Sequence, residues 1–237
     1  MFFLKIWYYS DMDEIQRRKL RAVGAIAVLV IVILFIFFIF LQEREKKNNA
    51  IRLKMFYADM AQTLQFSMNS NGPPGDWGWH AGYRNANVIN NYIVNYLRVS
   101  KNCVAANGDC MPKVNYMTLG KRPTKVNLSS LPSVKMNNGI SFAVETVKSC
   151  KKQNSTCAIF YVDVNGEKKP NMFGRDLFAF ELVNSTSIPF APYKVNTDKN
   201  TLLTDSNYGC NHTSNIALYC CALIYSNSWS IGKKYPW

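Results

Sequence analysis

Residues Ala22 to Leu41 read AVGAIAVLVIVILFIFFIFL, twenty consecutive positions with no charge, no side-chain amide and no proline. Wound as a helix, such a stretch covers roughly 30 Å, the thickness of the hydrocarbon layer of a bilayer. A buried core helix rarely runs this long without one polar position, and a secretory signal has a shorter apolar region followed by small residues at its cleavage site. Here Gln42-Glu43-Arg44-Glu45-Lys46-Lys47 follows instead. The stretch therefore reads as an uncleaved membrane anchor, and everything beyond it as a domain on one side of that membrane.

The flanks bear on orientation. Arg17, Arg18, Lys19 and Arg21 crowd the N-terminal side, which favours a cytoplasmic N-terminus under the positive-inside bias, although Arg44, Lys46, Lys47, Arg52 and Lys54 supply the far side comparably. The cysteines break the tie. Cys103 and Cys110 have six residues between them, as do Cys150 and Cys157, and nine or ten residues separate Cys210 from Cys220 or Cys221. Three local pairs with one cysteine left over is the simplest reading, with Cys210 and Cys220 as the third pair. A metal centre fits less well, because no C-x-x-C occurs and His80 and His212 are the only histidines. Short disulfide loops need an oxidising compartment and contribute about 2.5 kcal/mol each in the chain-entropy model. The C-terminal part is thus expected outside the cytoplasm, on a single-pass membrane protein with its N-terminus inside.

The 196 residues after the anchor suffice for one ordinary domain with a real core. Of 28 basic and 15 acidic side chains, five and three lie in the first 21 residues, so the remainder carries a charge near +11. Such a surface would attract anionic polymers, DNA or acidic glycans, although its lysines are scattered rather than clustered.

Residues 1–21 read as a cytoplasmic tail or a leader, without a fold of their own. Beyond the anchor, Leu53, Phe56, Met60, Leu64 and Met68 recur at steps of three and four, and no glycine or proline intervenes between Gln42 and Ser70. The pattern predicts a single helix from about Ala22 to Asn69, with residues 22–41 in lipid and residues 42–70 offering one apolar stripe to residues 71–237. Asn71-Gly72-Pro73-Pro74-Gly75 stops it. A second helix is predicted from about Asn85 to Val99. From Cys103 the texture changes to short β-rich runs: Ile140–Val144 after Asn137-Asn138-Gly139, then Ala158–Val162, a turn at Asn165-Gly166, and Leu177–Leu182. In the last run Phe178 and Phe180 share one face, with Leu177, Ala179 and Glu181 on the other. Residues 184–209 read as mostly loop, and the element around Cys220 to Tyr225 is apolar but of unassigned type. A long helix followed by antiparallel strands defines an α+β fold.

The stretch VDVNGEKKPNMFGRDLFAFEL, Val162 to Leu182, resembles the D-x-N-G-x-x-x-P-N-x-x-G-x-D-x-F-x-F segment of type IV pilin-like and type II secretion pseudopilin-like proteins. Cys220, Trp229 and the close Tyr235-Pro236-Trp237 resemble the end of the same group. The resemblance covers most of residues 22–237. It implies a long N-terminal helix packed on a small antiparallel sheet, and a noncatalytic subunit that meets other pilin-like subunits through that helix. Prepilins of this kind carry a glycine before their cleavage point and a glutamate five residues after it. If Gly24 is that glycine, Leu29 holds the glutamate position; if Tyr57 and the following helix set the register, Arg21 does. Lacking that glutamate, the chain resembles a diverged subunit that stays anchored without processing.

Asp163, Asn165 and Asp176 place three oxygen-bearing side chains around a turn, a set that a hard cation such as Ca²⁺ would accept. The alternative is a hairpin in which Asn165-Gly166 takes positive φ and Asp176 caps a turn. Trp77, Trp79, Trp229 and Trp237 would pin loops to the body or form a platform for sugar or base. His80 has no nucleophile near it in sequence, and no G-x-S-x-G, H-E-x-x-H or phosphate-binding glycine loop occurs, so no enzyme is expected. Cys221 reads as a free thiol, an alternative partner of Cys210 or a crosslink between copies. Sequons at Asn127, Asn154, Asn184 and Asn211 admit a different class, a solitary anchored binding protein or adhesin, as in a type II membrane glycoprotein.

Overall fold

The computed structural model of the protein describes residues 2–79, 85–105, 110–147, 150–232 and 235–237, with side chains from residue 14 onward. Two compact units divide it, Met1–Glu45 and Lys46–Trp237. The first helix, α1, runs Phe2–Asn71. It begins twenty residues before the expected start, so the segment that the sequence left without a fold is helical. Within the first unit, every large apolar side chain from Val23 to Leu41 is between 44% and 65% exposed. By length and composition this part of α1 can cross a membrane.

In the second unit the expected stripe forms. Leu53, Phe56, Met60 and Leu64 are fully buried, and Met68 packs at the margin of the core. The helix ends where Gly72, at φ +76°, donates its N–H to the Met68 carbonyl at 2.9 Å, and Pro73 and Pro74 then bar continuation.

Six strands follow in a meander of order β1 to β6, antiparallel throughout: β1 Val99–Cys103, β2 Ser133–Met136, β3 Ser141–Thr146, β4 Thr156–Asp163, β5 Leu177–Val183 and β6 Phe190–Pro192. Phe160 lies directly opposite Phe180 in the β4/β5 ladder. The Phe56 ring reaches into this face and meets Phe142 at 5.6 Å, Phe180 at 5.3 Å and Phe190 at 6.1 Å between centroids. Offset and tilted ring packing of this kind adds about 0.5–1.5 kcal/mol per pair beyond burial itself. The fold is α+β, with the apolar stripe of α1 as one wall of the core.

One local expectation is revised and two are filled in. The second helix, α2, covers only Ala86–Tyr92, because Ile93 leaves helical geometry at φ −123°, ψ −61°. A single 3₁₀ turn at Val94–Tyr96 follows, and Val99 enters β1 opposite Met136. The β-branched run around Ile93 and Val94 is a poor helix former and a good strand approach. The stretch 184–209 is mostly loop, as expected, and within it lie β6 and the short helix α3, Lys199–Thr204, capped by the Asp198 carboxylate on the Thr201 N–H at 2.9 Å. The apolar element near the end is helix α4, Cys220–Ser226. Both sheet edges are irregular: β1 is broken by a register shift between Val99 and Lys101, and β6 is three residues ending in Pro192.

Candidate functional site

Asp163 closes β4 and Asp176 immediately precedes β5, so the β4/β5 ladder brings the two carboxylates to the same end of the sheet. Neither is accessible to solvent. Asp163 Oδ1 accepts from the backbone N–H of Asn165 at 3.0 Å and of Gly166 at 2.6 Å, and its Oδ2 accepts from the Tyr116 hydroxyl at 2.6 Å. Asp176 Oδ2 accepts from the Asn171 N–H at 2.8 Å and the Asn165 Nδ2 at 3.3 Å, and its Oδ1 from the Met172 N–H. Gly166 carries the positive φ of this turn, +68°.

Burial pushes Asp163 up to about 7 despite the Tyr116 hydrogen bond that favours its charged form, and the neighbouring Asp176 charge pushes the same way. Asp176 is pushed up to about 6 by burial, against the pull of the Met172 and Asn171 N–H groups. Lone carboxylates so buried are costly unless hydrogen-bonded, and here each oxygen is.

The loop between the two aspartates is fastened on several sides. Asn49 of α1 donates its Nδ2 to the Arg175 carbonyl at 2.9 Å, and Phe173 donates its N–H to the Met117 carbonyl at 2.9 Å. The Tyr235 hydroxyl donates to the Gly174 carbonyl, and the Arg175 guanidinium lies 5.0 Å from the Trp237 ring centre. Gly174, at φ +78°, sits against Cys220: a Cβ there would come within 2.6 Å of the Cys220 sulfur. Helix α1, the segment at Tyr116–Met117, the loop itself and the chain end thus converge on one clasp.

The three residues expected to offer oxygens to a cation do meet, yet as partners of one another and of backbone N–H groups. The Asn165 amide turns its nitrogen, not its oxygen, to Asp176. Asn165 Oδ1 and Asn171 Oδ1 are buried without a hydrogen-bond donor among the described residues. No group of three or more His, Cys, Asp or Glu side chains gathers at metal-binding distance among the described residues. The hydrogen-bonded turn is the arrangement observed, set in a connection of residues 164–176 that is longer than a tight hairpin.

The tryptophans act as pins. Trp77 is 1% exposed, donates its Nε1 to the Gly72 carbonyl at 2.9 Å and stacks on Tyr92 at 5.1 Å; Trp79 donates to the Pro74 carbonyl at 2.6 Å. Trp229 packs on Tyr57 at 5.3 Å and Tyr225 at 5.2 Å. Disulfides join Cys103 to Cys110, Cys150 to Cys157 and Cys210 to Cys220, while Cys221 is a buried free thiol. His212 is exposed, with Nδ1 3.0 Å from the Leu119 carbonyl, and His80 lies outside the described residues. Of the sequon asparagines, Asn184 and Asn211 use the amide nitrogen to which a glycan would attach: Asn184 donates to the Lys151 carbonyl at 3.1 Å and Asn211 to the Leu203 carbonyl at 2.7 Å.

A second constellation was not legible in the sequence, because its members come from separate strands and loops. On the sheet face that carries Asp163, Tyr161 of β4 donates its hydroxyl to Glu145 Oε2 of β3 at 2.8 Å. Glu181 of β5 holds Lys194 Nζ at 3.1 Å and accepts from the Thr156 hydroxyl at 2.9 Å. Beyond them Tyr193, Tyr208 and Tyr219 pack mutually with ring centres 5.7 to 6.4 Å apart. Burial and then the Glu181 charge push Tyr193 up to about 12.

An α+β protein with an exposed apolar helix segment, a disulfide-stapled six-strand meander and a buried carboxylate clasp is the class these features define. The chain belongs to the family of unknown function DUF6613, whose model matches residues 39–237. No curated protein and no solved structure matches it.

Proposed function

We propose that the protein is a noncatalytic, membrane-anchored subunit of a pilin-like or type II secretion-type assembly, with residues 22–41 in the inner membrane, a cytoplasmic N-terminus and the domain outside. The observation that carries this reading is the double use of α1. Its residues 22–41 leave every large apolar side chain exposed, while its residues 50–68 form one wall of the sheet domain's core. Apolar surface of that extent needs lipid or other copies around it. Three disulfides support an oxidising compartment for the domain.

The test is photo-crosslinking in native membranes from probes at Ile51 and Met55, which are exposed on α1. A ladder of crosslinked copies or of homologous subunits is the expected result; a species that never crosslinks to another chain defeats the reading in favour of a solitary anchored binding protein. N-terminal sequencing of the membrane-recovered protein checks the anchor itself. A start at Ala25 would show prepilin-type processing and overturn the uncleaved form.

A further inference from the structure

The tyrosine and carboxylate constellation on the outer sheet face does nothing for the anchor or the clasp. Beside it lies a cleft of about 330 Å³, lined by Val126, Asn127, Ser130, Leu131, Glu145 and Tyr161. That volume is at the lower end of the ~300–1,000 Å³ typical of small-ligand pockets. Its floor is fixed rather than adaptable: Tyr161 is 6% exposed and its hydroxyl is committed to Glu145 Oε2. Asn127 is likewise oriented, because its Oδ1 accepts from the Ser129 hydroxyl at 2.7 Å and from the Ser129 N–H at 3.2 Å, which leaves the amide hydrogens as donors. Glu145 keeps its second carboxylate oxygen, Oε1, as an acceptor beside them.

The tyrosine surface adjoins this cleft through the sheet: Tyr161 lies opposite Ala179 in the β4/β5 ladder, and Tyr193 donates its N–H to the Ala179 carbonyl at 3.1 Å. Tyr208 is 39% exposed and rests on the less exposed Tyr193 and Tyr219. Lys194 is tied back by Glu181 and Thr156, so its charge is matched locally.

We propose that the cleft and the tyrosine surface beside it form a binding site for a neutral saccharide. Aromatic faces stack on the C–H faces of sugar rings, a carboxylate oxygen and a fixed amide accept and donate to ring hydroxyls, and the pocket binds by orientation rather than by charge. Lys194 and Glu181 pair with each other at 3.1 Å, so the carboxylate left in the cleft lining is Glu145, which repels anions at short range. The site is independent of the assembly proposed above, and a chain that stays solitary would bind in the same way.

The experiment applies the full chain, in a detergent without a sugar headgroup, to an array of neutral and sulfated oligosaccharides. The expected result is retention by at least one neutral oligosaccharide, weakened about tenfold by Tyr208→Ala and by Glu145→Gln, which is about 1.4 kcal/mol each. Tyr208 is exposed and Gln keeps the acceptor for Tyr161, so both variants should unfold at the wild-type temperature, and that is measured alongside. Retention of sulfated glycans alone, no retention of any neutral glycan, or retention that both folded variants leave unchanged would each overturn the proposal.

Discussion

The Tyr116 hydroxyl donates a 2.6 Å hydrogen bond to Asp163 Oδ2, and neither side chain reaches solvent. The pair joins a segment that precedes β2 to the end of β4, 47 positions apart. Removing one partner from a buried, charge-assisted hydrogen bond leaves the other desolvated, which costs about 1.5–3 kcal/mol. Tyr116→Phe should therefore lower stability by that amount, read as a shift of the denaturant midpoint with unchanged slope.

The clasp also sets a pH dependence. Asp163 and Asp176, raised from an ordinary 3.8 to about 7 and about 6, hold protons more tightly in the fold than in the unfolded chain. Their contribution to stability is fully present below 3.8 and is lost as pH rises through about 6 and 7. A tenfold difference in proton affinity between the folded and unfolded chain is worth about 1.4 kcal/mol, so the loss is on the order of a few kcal/mol. Thermal unfolding between about pH 4 and pH 8 should show this decline, and Asp163→Asn should flatten its upper part.

Calcium offers a sharper check on the same residues. The four carboxylate oxygens already accept hydrogen bonds, so a cation would have to displace backbone N–H groups. Millimolar Ca²⁺ should leave the unfolding temperature at about pH 8 where it was. A rise that Asp163→Asn abolishes would instead assign a metal, because a ligand that binds only the folded state stabilises it.

Phe56 and Phe66 lie on the same helix and should behave oppositely. Phe56 is fully buried among Phe142, Phe180 and Phe190, and Phe66 is 54% exposed. Phe56→Ala should cost about 3–5 kcal/mol, and Phe66→Ala less than about 0.5 kcal/mol. Limited proteolysis and denaturant unfolding of the full chain separate the two.

Cys221 is completely buried, and burial raises its thiol well above the ordinary value. Thiol reagents attack the thiolate, so the folded protein should resist labelling and the denatured protein should yield one thiol per chain. Labelling of the native state would show that α4 opens.

How much of this was legible in the sequence depends on the range of the interaction. The stripe Leu53–Phe56–Met60–Leu64 was readable because helical periodicity is local, and so were β4 and β5, whose Phe178 and Phe180 fall on one face as alternation requires. The extent of α2 was not, since Ile93 and Val94 fit either element until Val99 pairs with Met136. The clasp was half readable: the spacing brought Asp163, Asn165 and Asp176 together, but Tyr116 has no signal linking it to Asp163. The tyrosine surface was unreadable, because Glu145, Tyr161, Tyr193, Tyr208 and Tyr219 become neighbours only through strand register and loop return.

The broken edge of β1 and the brevity of β6 bear on how copies of this domain coexist. A strand edge with an unbroken row of N–H and C=O groups templates the next chain, and bulges, lysines and prolines are the usual deterrents. Here Lys101 and the register shift blunt one margin and Pro192 ends the other. Many copies concentrated side by side in a thin layer would therefore meet through side-chain surfaces, and their sheets would not fuse into a continuous ribbon.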